Sequence, residues 1–245
     1  TIHLGDMVDA QAGVIFGFIP AWGAFMQPLA ALIFIVCIFA ETNRTPFDIA
    51  EGESEIVAGY HTEYSAMRFG LFQVSEFAAM AGASAIIVTL FFGGYHIPWL
   101  DTETLKANIE IVMMVIMVIV PIKIFFLTKW MKKNNNWENP DDVRAKETKI
   151  FIPAFWTIAV LLVAALGLLL VSGIGANGSS IAVAVIQIGT FLAKFFMMVL
   201  VFMWVRWTLL RFRYDQLQML GWKILLPLSL FNIFVTASVI VFLGL

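Results

Sequence analysis

Six apolar runs, each close to the length needed to cross a bilayer, dominate this 245-residue chain. Lipid offers no partner to backbone N–H and C=O groups, so a crossing segment must satisfy them within itself, and a helix of about 20 mainly apolar residues does so. The runs fall at about 25–40, 69–92, 109–127, 151–171, 181–205 and 224–245. The first is short, carries Pro28 near its start, and extends to Ala21 on a generous reading. Residues 12–23 are apolar but broken by Gly13, Gly17 and Pro20, and read as a surface or re-entrant segment. The fold expected is all-α: a polytopic integral membrane helical bundle with about six transmembrane helices, forming a single transmembrane domain over 1–245. Composition agrees, with 61% apolar residues and only 13% charged, where soluble domains carry about 25%.

The basic residues orient these spans. The segments between runs alternate in charge, with 12 Lys and Arg on one side and Lys106 alone on the other. Arg44, Arg68, the loop 129–149 and the connector 206–223 supply the 12. Positive charge is retained on the cytoplasmic side, which places these loops there and the C-terminus outside. The formal net charge of −2 gives no basis for nucleic-acid binding. The single cysteine, Cys37, can form no internal disulfide and reads as a small buried hydrophobe; no metal-ligand spacing is present. The chain begins at Thr1 and not Met, and reads as a fragment or as a chain lacking its true N-terminus.

Charge in such a chain needs a reason, and the stretch between the first two runs is dense with it. Glu41, Asp48, Glu51, Glu53, Glu55, Glu63 and Glu76 lie within 40 residues, offset only by Arg44 and Arg68. Crowded carboxylates oppose one another's ionisation, which suits proton uptake and release; the alternative is a solvated acidic loop. The interleaved Phe47, Tyr60, Tyr64, Met67 and Phe69 favour an anchored loop. Glu76 lies about two turns inside the second run, where an ionisable group costs about 2.5–3.5 kcal/mol and therefore faces protein, a partner or water. Arg68, Phe72 and Glu76 follow at i, i+4, i+8 and are expected on one helix face. Lys194 sits too deep in the fifth run to snorkel and reads as functional, whereas Lys123 reads as snorkelling. Arg206 and Lys223 read as topogenic charges, and RFRYDQLQMLGWK (211–223) as a basic connector suited to lipid headgroups or an acidic partner.

The run ETNRTPFDIAEGESEIVAGYHTEYSAMRFGLFQVSEFA (41–78) resembles, nearly residue for residue, the signature loop of the H subunit of respiratory complex I, the proton-pumping NADH:quinone oxidoreductase. RFRYDQLQMLGWKILLPLSL (211–230) resembles that family's second signature, and LGDMVDAQ (4–11) the segment before its first. The resemblance implies a cytoplasmic loop at 41–68 that lines a quinone chamber and opens a chain of carboxylates into the membrane. By matching position, Glu41, Asp48, Glu51, Glu53, Glu55, Glu63, Glu76 and Lys194 belong to the proton path and its coupling. Arg44, Phe47, Tyr60, Met67, Arg68 and Phe69 belong to the quinone chamber and its wall. It further implies a translocase component without a redox centre of its own: quinone is the substrate, while NADH, FMN and iron–sulfur clusters reside in partner subunits. Its partners are then hydrophilic-arm subunits, other membrane-arm subunits including antiporter-like ones, and lipids, in a bacterial inner membrane in preference to a mitochondrial one. The chain departs from the family in three ways. Four of the family's eight spans, those preceding the first run, are missing; residues 109–171 look like an inserted helical hairpin around the loop 129–149; and Leu210 stands where proline is usual. The homologous membrane component of an energy-converting hydrogenase, and an ion-coupled secondary transporter, are the alternatives.

Overall fold

The computed structural model describes residues 3–15, 17–48, 63–134, 143–171 and 176–243. Five helices are long and apolar enough to cross a membrane: Ala66–Phe91, Ile109–Asn134, Glu147–Leu168, Gly178–Thr208 and Tyr214–Phe242. The expected sixth span is a shorter apolar helix, Pro28–Glu41. The molecule is thus an all-α, multi-pass membrane protein. Contacts divide it into two compact units, Thr1–Asp101 with Gln187–Leu245, and Thr102–Ile186.

The first unit opens with α1 (Leu4–Asp9), a two-residue hairpin of β1 (Val14–Ile15) and β2 (Ile19–Pro20), and α2 (Gly23–Met26). Next comes α3 (Pro28–Glu41), which starts on a proline whose fixed φ suits a first helical turn. At 14 residues it rises about 21 Å. Thr42 closes it with a hydroxyl bond to the Ile38 carbonyl at 2.9 Å, and Asn43 then turns left-handed at φ 46°. Asparagine tolerates that conformation better than most residues. α4 (Ala66–Phe91) is the most enclosed span, with 28% of its apolar window buried. Its Met80, Ala83, Ile87 and Val88 pack with Phe39 of α3 and with Met198 and Phe202 of α8 (Ala176–Thr208). The Phe39 and Phe202 rings stack at 4.2 Å. Cys37, expected buried, lies exposed on α3, where Phe39 enters the core and Phe34, Ile35, Val36 and Ile38 pack against it.

α8 ends at Thr208, and residues 209–213 leave the helix although Leu210 replaces the usual proline. The connector expected from there to Lys223 is mostly helical: α9 (Tyr214–Met219) runs through a π-helical turn, Leu220–Leu225, into α10 (Leu226–Leu243). Its start is capped by Gln216, whose Oε1 accepts the Arg213 N–H at 3.1 Å. Polar composition marks where lipid stops, not where the helix stops.

In the second unit, α5 (Thr102–Ala107) leads into a hairpin of α6 (Ile109–Asn134) and α7 (Val143–Val171). Met113 is fully buried, while most large side chains of both helices face outward, as lipid-facing surfaces do. Pro121 and Pro153 lie inside these helices, which membrane spans tolerate.

A polar knot ties the N-terminal segment to the end of α4. Gln11 uses its whole hydrogen-bonding capacity there. Its Nε2 donates to the carbonyls of Met7 and Thr89, both at 3.0 Å, and its Oε1 accepts the N–H groups of Gly23 and Gly93 at 3.0 and 3.1 Å. Beside it, the Tyr95 hydroxyl donates to Asp9 Oδ1 at 2.7 Å, and His96 Nε2 lies 3.2 Å from the same oxygen. Burial, then the hydrogen bond to Asp9 and its negative charge, push the Tyr95 phenol up to about 12 from 10.0. A raised folded-state value favours the neutral phenol, so this contribution is complete below pH 10.0 and is lost as pH climbs through about 12. Subtracting the 295 nm titration of Tyr95→Phe from that of the parent isolates this phenol; a midpoint near 10 would mean that the knot does not form.

Candidate functional site

The loop 43–48 after α3, the first half of α4 and the end of α8 enclose a small polar cavity of about 50 Å³. Asn43, Arg44, Thr45, Asp48, Gln73, Glu76 and Arg206 line it. Arg44 and Asp48 are buried, and the Arg44 guanidinium lies 4.5 Å from the centre of the Phe77 ring. Such a placement offsets part of the cost of removing a guanidinium from water. Asp48 Oδ2 accepts from Arg211 Nη2 at 3.3 Å. Among the lining residues two guanidinium groups face two carboxyl groups. In so small and enclosed a volume, a change of one charge is felt by the others far more strongly than in water.

The two segments that carry the resemblance meet here. Besides the Asp48–Arg211 pair, the Phe212 N–H donates to the Pro46 carbonyl at 3.0 Å, and the Phe47 and Phe212 rings stack at 5.5 Å. The break after α8 therefore seats RFR against TPFD, and the unwound backbone finds a partner in the first signature.

Of the residues expected from sequence, Arg44, Asp48 and Glu76 share the cavity, and Phe47 packs in the core beside it. Arg68 does not join them. It lines a separate open groove of about 450 Å³ with Tyr64, Leu71, Phe72 and Ser75, where Tyr64 meets Phe72 edge-on at 4.9 Å. Glu41, Glu63, Met67 and Phe69 are exposed. Lys194 lies away from the cavity, against the end of α4. Glu51, Glu53, Glu55 and Tyr60 fall outside the described residues. Asn43, Thr45, Gln73 and Arg206 are the members that sequence reasoning misses. Arg206 reads as topogenic, yet Lys194, Met198, Phe202 and Arg206 follow in steps of four along α8, and that periodicity is the available signal. Among the described residues, no group of three or more His, Cys, Asp and Glu is placed to hold a metal ion.

The fold and this cavity define a multi-pass membrane protein that encloses a charge-balanced polar cluster between one loop and two helices. Residues 1–134 and 147–237 match the profile of the NADH dehydrogenase family, and the chain belongs to that family. The match covers most of both helices of the hairpin expected to be an insertion, and leaves out residues 135–146 between them. The chain is 35% identical to the H subunit of NADH-quinone oxidoreductase from Flavobacterium johnsoniae over 240 residues, which are 98% of this chain and 47% of that protein. It is 36% identical to the corresponding protein of the same name from Bdellovibrio bacteriovorus, over 98% of this chain and 49% of the relative. With NADH-quinone oxidoreductase subunit 8 of Rhodothermus marinus it shares 35% identity over 97% of this chain and 49% of the relative. The chain spans about half the length of the curated relatives it matches.

Proposed function

We propose that this chain is a membrane-arm subunit of a proton-pumping NADH:quinone oxidoreductase in a bacterial inner membrane, where it forms part of the quinone chamber and couples quinone reduction to proton movement. The observation that carries this reading is the convergence of both signature segments on one cavity holding Arg44, Asp48, Glu76 and Arg206. The names of the three relatives support it over a hydrogenase component or a transporter.

Electrons reach the quinone from NADH through flavin and iron–sulfur centres in partner subunits, and two electrons with two protons convert quinone to quinol. The Tyr64–Arg68–Phe72 groove, of about 450 Å³, falls in the size range of small-molecule sites and presents aromatic faces beside one cation. It forms part of the chamber wall with Phe47, Tyr60, Met67 and Phe69. Charge arriving on the headgroup acts on the carboxylates of the 41–68 loop: Glu41, Asp48, Glu51, Glu53, Glu55 and Glu63. Glu76 passes the change into the membrane, because it lines one cavity with the Arg44, Asp48 and Arg206 charges.

Glu76→Gln keeps the shape and removes the exchangeable proton. In assembled complex, proton pumping coupled to NADH:quinone turnover is expected to fall about tenfold or more. NADH oxidation by an artificial acceptor at the flavin should be unchanged. Pumping at the parental rate in that variant would remove Glu76 from the path.

A further inference from the structure

Lys194 is the deep ammonium that the cavity does not use. Its Nζ donates to the carbonyl oxygens of Phe92, Gly94 and His96 at 2.7, 3.0 and 2.6 Å. It also stands 4.5 Å from the centre of the Trp22 ring. Three bonds use all three N–H donors of an ammonium. None of the three acceptors can take up and pass on a proton, so the arrangement has the chemistry of a cation site and not of a relay. The site is built by the backbone: Gly93 and Gly94 take φ 67° and 48° after α4, and the chain folds its carbonyls inward around Nζ.

The geometry of α8 gives this clamp a consequence. Lys194 meets the far end of α4, and Arg206 meets its Gln73 and Glu76, so the two helices run antiparallel. Between these polar anchors lie Met198 and Phe202, packed on Met80, Ala83 and Ile87. Lys194 and Arg206 are about 18 Å apart along α8, at 1.5 Å per residue. Apolar packing between helices in lipid is not directional, and methionine adapts to many neighbours. A slip of one residue would move α8 by about 1.5 Å and turn it by about 100°. Three hydrogen bonds to fixed carbonyls resist that slip.

We propose that Lys194 is a positioning residue, whose ammonium, seated on the Phe92, Gly94 and His96 carbonyls and the Trp22 ring, holds α8 in the register that brings Arg206 to the cavity of Arg44, Asp48 and Glu76. The functional half of this inference rests on the reading of that cavity as the coupling site.

The test uses the intact complex carrying Lys194→Ala, with hydrogen exchange at residues 93–100 and NADH:quinone turnover followed as ammonium, methylammonium or potassium is added. Turnover is expected to drop by about ten- to a hundredfold, since a misplacement of about 1 Å can cost as much as 10²-fold, and exchange to quicken. All three cations should restore both, whatever their acidity, because the missing part is a charge on three carbonyls. Lys194→Met, which keeps the bulk, should show the same loss without rescue. Rescue by the amines but not by potassium would make Lys194 a proton carrier and overturn the proposal. So would unchanged exchange in Lys194→Ala, exchange restored without turnover, or parental turnover in Lys194→Met. Parental pumping in Glu76→Gln would strike the coupling reading alone, leaving the exchange result to decide whether the clamp exists.

Discussion

Replacing Gly94 with valine will prevent the chain from accumulating stably in membranes. Gly94 sits at φ 48°, and a Cβ there would stand 2.6 Å from Val8 Cγ2 and 3.1 Å from Cγ1. Left-handed backbone costs an L-residue about 1–2 kcal/mol, and forced overpacking about 1–3 kcal/mol more. The sum is a large part of the roughly 5–15 kcal/mol that holds a typical fold. The damage also spreads, because the Gly94 carbonyl is one of the three under Lys194, and neighbouring Gly93 donates to Gln11. Gly82→Ala is the control: it lies inside α4 with nothing within 4 Å of the added carbon, and alanine is the better helix former by about 0.8–1.0 kcal/mol. Membrane content and the melting temperature in detergent measure both variants. A Gly94→Val protein that matches Gly82→Ala would show that the α1–α4 knot is not tight.

Asp48→Asn is expected to weaken the signature junction and to depress quinone reductase activity together. The Asp48 side chain is 7% exposed and Arg211 is 41% exposed. Removing its charge leaves Glu76 as the one carboxylate among the described lining residues, against the guanidinium groups of Arg44 and Arg206. Breaking a fully buried pair from one side costs about 3–5 kcal/mol. Water reaches Arg211, so about 2–3 kcal/mol is expected here. Arg211→Gln should cost less, since that side chain already meets solvent. The double variant should be more stable than the sum of the two changes by about 1 kcal/mol, which a double-mutant cycle on melting in detergent reads directly. Strict additivity would mean that the 3.3 Å contact contributes nothing to holding RFR against TPFD.

Lys194 illustrates both how far the residues alone carry and where they stop. Its depth in an apolar run announces that a charge must be satisfied inside protein, which is so. That its partners are three carbonyls at the end of α4 depends on Gly93 and Gly94 turning left-handed, and no local pattern places that turn opposite residue 194. Gln11 closes the segment LGDMVDAQ that carries part of the resemblance, but nothing in that segment names its four bonding partners. Arg68 and Glu76 are expected on one face, yet eight residues of helix turn through about 80° beyond two full revolutions. That drift is enough to send one to the groove and the other to the cavity.

What the sequence determined by itself was the class and the apolar heart of each span: an all-α membrane bundle, whose helices run up to ten residues beyond the apolar runs (Tyr214–Phe242 against 224–245), and two signature segments lying far apart along the chain. These follow from local requirements, since lipid demands long apolar helices wherever they lie and a motif is contiguous by nature. Only the tertiary structure decided that Asp48 meets Arg211, that Phe47 stacks on Phe212, and that Arg206 closes a cavity with Glu76. Those contacts depend on the rotation and axial register of α4 and α8, which side-chain packing and a few directed hydrogen bonds set and which hydropathy, blind to direction, does not encode.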